Sequence, residues 1–194
     1  MTISPTALVL LNDRNKILAL ANDYWNEITD RDAKAERAFE NDFTEARSRG
    51  YLSKELFVHV ARWKAARNTG HHKSNKGAEI RRATAAAFQA SDDAASISAL
   101  VKLHGVKLRT ASAILHWMRP ERFPILDYRV MAALGEAPPK SFDDIRLYNR
   151  IADRIRELAL RHSLDLRTID RALWTWDKQR SHALRPRCRK DCVI

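Results

Sequence analysis

Five glycines and six prolines in 194 residues are too few for a collagen-like, disordered or turn-rich β chain. The two cysteines, Cys188 and Cys192, both fall in the last seven residues. They make no disulfide framework and fit a reducing compartment, so a cytoplasmic protein is expected. No apolar run reaches the roughly 18 residues of a membrane-spanning helix, so no membrane partner is expected. Residues 1–11 carry a short apolar run without a basic leader, and no signal peptide is expected there. No P-loop, dinucleotide fingerprint or Gly-x-Ser-x-Gly motif occurs, which removes the commonest nucleotide-binding and serine-hydrolase readings. Internal repeats and low-complexity segments are also missing.

What the chain has is helical periodicity, a core and positive charge. The 45% apolar content suffices for one domain. Lysine and arginine number 35 against 24 acids, a formal charge of +11 that favours polyanionic partners. If roughly 6–10 of those cations met phosphates, affinity would fall by orders of magnitude between low and moderate salt. Charge alone does not separate DNA from RNA or an anionic membrane.

Apolar spacing predicts helices over residues 12–28, 30–49, 53–67, 76–90, 91–103, 107–119 and 127–134. A long amphipathic helix opening near 138–141 and a final one through Trp176 follow. Residues 68–77 are polar and flanked by glycine, which predicts a mobile loop able to touch a substrate. The expected organisation is one all-α domain over 1–179, followed by a basic tail over 180–194.

Residues 103–130 carry the chemistry. Leu103-His-Gly-Val-Lys-Leu-Arg-Thr-Ala111 reads as a Gly-containing turn between two short helices. Gly105 supplies the positive φ that such a turn needs. A helix start of this kind points backbone N–H groups outward, where they can hold a phosphate. Pro120 ends the second helix, and the loop beyond it, Phe123-Pro-Ile-Leu-Asp127, delivers one carboxylate. Asp127 reads either as a catalytic carboxylate or as an ordinary helix cap. Trp63, Lys64 and Arg67 could line a cleft, with Trp63 stacking a base, or Trp63 could be a core anchor with solvated cations beside it. Trp174, Trp176, Phe39 and Phe43 read as core. Asn75, His71 and His72 read as rim residues. Zinc held by His59, His71, His72 or the two cysteines has no matching ligand spacing, and no metal site is expected.

This segment resembles the helix-hairpin-helix DNA glycosylase superfamily, which includes endonuclease III, the adenine glycosylase and the oxoguanine glycosylases. Leu103, Gly105, Val106, Thr110 and Ala111 match the family's hairpin. Its essential aspartate falls on Asp127, 18 residues after Arg109, with no gap. The strong likeness covers about residues 93–135. Residues 63–67 and 173–176 are more weakly similar to small bacterial relatives. The resemblance implies an all-α, two-lobed bundle with a hairpin over 93–119, a catalytic loop over 120–130 and a central cleft for DNA and an extruded base. It implies duplex DNA containing a damaged or modified base as partner and a monomeric enzyme. Gly105, Lys107, Arg109 and Thr110 fall at DNA-contacting positions, and Tyr128 and Arg129 stand where the family has Thr-His at the pocket.

The departures shape the expected reaction. Arg109 replaces the lysine with which bifunctional members form a Schiff base, and arginine keeps its proton at any ordinary pH. A monofunctional glycosylase is therefore expected, with Asp127 stabilising an oxocarbenium-like sugar and activating water. The alternatives are a glycosylase/lyase using Lys64 or Lys107, and a non-catalytic DNA-binding protein. His104 and Lys107 replace the hairpin's usual Pro and second Gly. The cysteine motif of iron–sulfur members is absent, so no cluster is expected; a monovalent cation at the hairpin is the one ion the resemblance allows. Candidate bases are oxidised or alkylated purines, deaminated bases and enzymatically modified cytosines of phage DNA, the last implying a defence role.

Overall fold

A computed structural model describes residues 12–137, 139, 141 and 143–183. Within them lie α1 (Arg14–Glu27), α2 (Asp30–Arg49), α3 (Lys54–Lys64), a 3₁₀ turn (Ala66–Asn68), α4 (Thr69–Ser74) and α5 (Gly77–Gln89). α6 (Asp93–Leu100), α7 (Leu108–Met118), α8 (Tyr128–Ala133), α9 (Ile145–His162) and α10 (Leu166–Ala183) complete the order. The architecture is all-α, with no strand among the described residues. No helix among the described residues is long and apolar enough to cross a membrane.

Local chemistry sets most boundaries. Asp13, Thr29, Ser53, Asp92, Asp127 and Asp144 each stand before a helix and accept a backbone N–H of its first turn. α2 stops where Gly50 takes a left-handed conformation (φ 78°). α7 stops at Arg119, the residue before Pro120.

Several expectations are corrected. α3 ends at Lys64 rather than residue 67. Residues 68–77 are not a loop: they hold the end of the 3₁₀ turn and α4. His72 is fully buried against Phe57 there, while Thr69 and Ser74 return hydrogen bonds to the carbonyls of Ala66 and His71. α9 begins at Ile145, where Asp144 supplies the cap. α10 continues past 179 to Ala183; the rest of the basic tail, with Cys188 and Cys192, lies outside the described residues, as do residues 1–11.

α7 is buried from Thr110 to Met118 and packs on α2, α3 and α6. An all-round apolar helix belongs at the centre of a core, and α7 sits there. Phe39 and Phe43 meet edge to face beside it, with Trp117 and Trp63 adjoining. α10 lies along α1 and against α8, so the first and last described helices close on each other. Some of the basic surplus works inside the fold. Arg47 donates to the carbonyls of Trp117 and Met118 at the end of α7 (2.7 and 3.2 Å), a favourable place for a cation.

His116 gives the fold a pH signature. It is buried in α7, and its Nδ1–H donates to the carbonyl of Phe123 at 2.8 Å. Burial pushes its pKa down to about 3, with the nearby Arg167 charge adding to the fall. The folded protein therefore holds His116 neutral while the unfolded chain binds a proton below about pH 6.5. Stability should decline by about 1.4 kcal/mol per pH unit as pH falls from 6.5 toward 3. Urea midpoints at pH 7, 6 and 5 check this, and His116→Gln should flatten the slope.

Candidate active site

Asp127 is held by a loop tied down at three places. His116 takes the carbonyl of Phe123, Tyr148 donates to the carbonyl of Pro124, and Ser112 Oγ accepts the N–H of Leu126. Ser112 and His116 are one turn apart on buried α7, so the central helix fixes the loop that carries the carboxylate. Asp127 then caps α8, its Oδ1 accepting the N–H of Arg129 at 3.0 Å. The cap reading is thus correct, yet it uses only one of the two oxygens.

The second oxygen, Oδ2, accepts from Lys64 Nζ at 2.8 Å and from Arg109 Nη2 at 3.2 Å. The Asp127 side chain is 14% exposed and that of Lys64 only 8%. Burial alone would raise the Asp127 pKa, but the two cations overcome it and hold the carboxyl at about 2. Burial lowers the Lys64 pKa from its ordinary value; Asp127 opposes that fall and Arg109 adds to it. Taking these charges out of water costs much of what their pairing returns, so the arrangement adds little to stability.

These groups open onto a cavity of about 130 Å³, lined by Tyr24, Trp63, Lys64, Asp127, Asp170 and Trp174 among others. Three larger hollows, of about 330, 610 and 690 Å³, hold no comparable set of buried ionisable side chains. One wall of the small cavity is a buried polar layer. Glu36 (0% exposed) accepts from Tyr24 and pairs with Arg167 at 2.6 Å and Arg171 at 3.0 Å. Arg167 holds the pKa of Glu36 below its ordinary value against the effect of burial. Arg167 also pairs with Asp170 Oδ2 and lies over the rings of Tyr24, Trp63 and Trp117.

The structure brings together some expected residues and separates others. Trp63 serves both readings, packing against Phe39 and Trp117 while lining the cavity. Arg67 is exposed on the 3₁₀ turn and does not line it. Tyr128 flanks the site, 46% exposed, with the Arg109 guanidinium 4.5 Å from its ring centre. Arg129 pairs with Asp177 and lies over Trp174. Tyr24, Arg167, Asp170 and Trp174 were not singled out for the site from the sequence, and Trp174, expected in the core, lines the cavity.

Asn75 has a different place from the one expected of a pocket residue. It clamps the turn between α6 and α7, exchanging hydrogen bonds with both backbone groups of His104 (2.8 and 3.0 Å). His72 Nε2 donates to the carbonyl of Gly105 at 3.0 Å, and Gly105 is left-handed (φ 79°). The turn leads into α7, whose cap residue Lys107 makes no side-chain cap bond. Lys107 instead reaches Asp143 at 2.6 Å on the surface, away from the carboxylate. Thr110 is buried, so what it offers a ligand is its backbone in the first turn of α7. Arg109 joins α7's start to Asp127, within one side chain's reach. Among the described residues no group of three or more His, Cys, Asp or Glu side chains is placed to hold a metal ion.

Compared with protein-family models, curated proteins and solved structures, the chain matches none.

Proposed function

We propose that this protein is a DNA glycosylase: it draws a damaged or modified base out of duplex DNA and breaks its N-glycosidic bond. The observation that carries the reading is the Asp127 carboxylate, ionised, fixed through both oxygens, and open to a cavity with aromatic walls. Bond breaking builds positive charge on the sugar, and a fixed carboxylate beside it stabilises that charge. About 130 Å³ is far below the ~300–1,000 Å³ of pockets for drug-sized ligands, and suits one extruded base between Trp63 and Trp174. On this reading α6, the Gly105 turn and α7 form the hairpin that grips phosphate, and the cavity opens from a cleft between two lobes. A panel of duplexes carrying oxidised, alkylated, deaminated or hypermodified bases, together with modified phage genomes, tests it. Alkali-labile sites should appear in at least one member; binding without any such site would favour the non-catalytic DNA-binding alternative.

The position of Lys64 favours a second reading of the reaction type. Arg109 cannot form an imine, but Lys64 Nζ stands 2.8 Å from Asp127 Oδ2 with its pKa lowered by burial. An amine there can attack the sugar carbon as the base departs, giving an imine and opening the way to strand cleavage. Lys107, paired with Asp143 on the surface, is not at the carboxylate. Lys64 therefore replaces water as nucleophile in this reading, and the chain becomes a glycosylase/lyase.

The hairpin should grip DNA without reading sequence. A Cβ on Gly105 would stand 2.6 Å from His71 Cβ, at a φ that side chains rarely adopt. Gly105→Ala should cost about 1–2 kcal/mol locally and weaken binding to all duplexes alike. Lys107→Ala should reduce the salt slope of binding by about one unit. Loss of affinity for some sequences only, at an unchanged slope, would contradict both expectations. Fluorescence anisotropy across a salt series measures them.

A further inference from the structure

Two carboxylates besides Asp127 line the cavity: Asp32 pairs with Arg31 at 3.2 Å, and Asp170 is left without a task by the excision reading. It sits in the second turn of α10, 3% exposed, one turn before Trp174. Its two oxygens differ sharply. Oδ2 is held by Arg167, whereas Oδ1 is buried and meets no hydrogen-bond partner among the described residues. A charged oxygen left in that state costs far more than a neutral hydroxyl with the same shape.

The surrounding charges point the same way. Arg167 is already matched by Glu36 at 2.6 Å, and Asp127 is matched by Arg109 and Lys64. Asp170 thus faces Arg167 on its own helix, Tyr24 on α1, Glu36 on α2, Lys64 on α3 and Asp127 ahead of α8. Burial raises its pKa, the Arg167 and Lys64 charges pull it back, and Asp127 and Glu36 add to the rise. Two carboxyl groups of one cavity are therefore driven in opposite directions, a pattern that divides base-like and acid-like work between them.

We propose that Asp170 is the general acid of the site, giving its carboxyl proton to the departing base while Asp127 stabilises the sugar. The inference rests on the excision reading. The glycosidic C–N bond breaks, its electron pair goes to the base, and the Asp170 proton neutralises the charge that develops there. Water or the Lys64 amine then bonds to the sugar carbon and sheds a proton, and Asp170 is reprotonated from solvent after the base leaves. Neutral bases are poor leaving groups, so this proton matters most for them and least for bases made acidic by electron-withdrawing substituents.

The test is single-turnover excision from duplexes whose scissile base is a series of related rings of graded acidity, over pH 4–9. Asp170→Asn keeps the shape and the oxygen toward Arg167 but has no acidic proton. It should lose about 100-fold or more on the least acidic bases and little on the most acidic ones. In wild type the rate should fall as pH rises through the Asp170 pKa; in the variant that limb should vanish. An equal loss across all bases with the pH limb retained would mean that Asp170 only supports the fold, and would overturn the proposal. Should the variant not fold, wild type alone decides: a rate nearly independent of base acidity supports the proposal, and a steep dependence overturns it. Either contrary result leaves base excision standing, whereas no excision of any base by wild type overturns both.

Discussion

Asp127→Asn should lower base excision by about a thousandfold while leaving DNA binding nearly unchanged. Asparagine caps a helix as well as aspartate does, so the start of α8 and the loop that delivers it should survive. What disappears is the negative charge facing the cavity. Lys64 and Arg109 lose their common partner, and stability should fall by about 3 kcal/mol or less, since Arg109 is partly solvated. Circular dichroism must accordingly show a folded variant at the assay temperature. Because the wild-type carboxyl titrates at about 2, this group should impose no acidic limb on the rate above roughly pH 4. Full activity in folded Asp127→Asn would end its assignment as the charge-stabilising group.

Lys64 gives the second large effect. Under the glycosylase/lyase reading, borohydride present during turnover should trap a covalent protein–DNA adduct. Lys64→Arg should abolish trapping and slow excision by about two orders of magnitude. The arginine keeps a cation beside Asp127 but cannot become an imine, so it separates nucleophile from charge partner. If wild type excises a base yet traps nothing and leaves intact abasic sites, water is the nucleophile. Lys64 then only holds Asp127 in place.

The parts of this picture legible in the sequence are those with local causes. Capping side chains at Asp13, Thr29, Ser53 and Asp92 mark helix starts, and Gly50 and Pro120 mark stops. Asp127 was legible as a cap because an acid stands directly before a short apolar helix. Residues 68–77 misled because polar composition resembles a loop, whereas His72 and Asn75 spend their polarity on the backbone of the neighbouring turn. Lys64 and Arg67 looked equivalent on one helix, but α3 ends between them, and only Lys64 stays inside. Asp170, Arg167, Tyr24 and Trp174 lie on helix faces whose spacing is that of any core stripe. Their convergence depends on how α10 packs against α1 and α8, which no local pattern encodes.

On the excision reading, the cavity also constrains which base it takes. Trp63 carries Arg167 and Lys64 against its ring, and Trp174 carries Arg129 and Lys178. The cations already near these rings would repel a positively charged base. A neutral base, which needs help in leaving, fits this surrounding better than a cationic alkylated purine, which leaves readily.

The most direct measurement is mass spectrometry of the small molecules released when the purified protein meets modified duplexes and phage genomes. Base excision predicts a free base, released one for one with abasic or cleaved sites, and its loss in Asp127→Asn. DNA that is bound tightly across the whole panel yet yields no free base from any member would contradict the account.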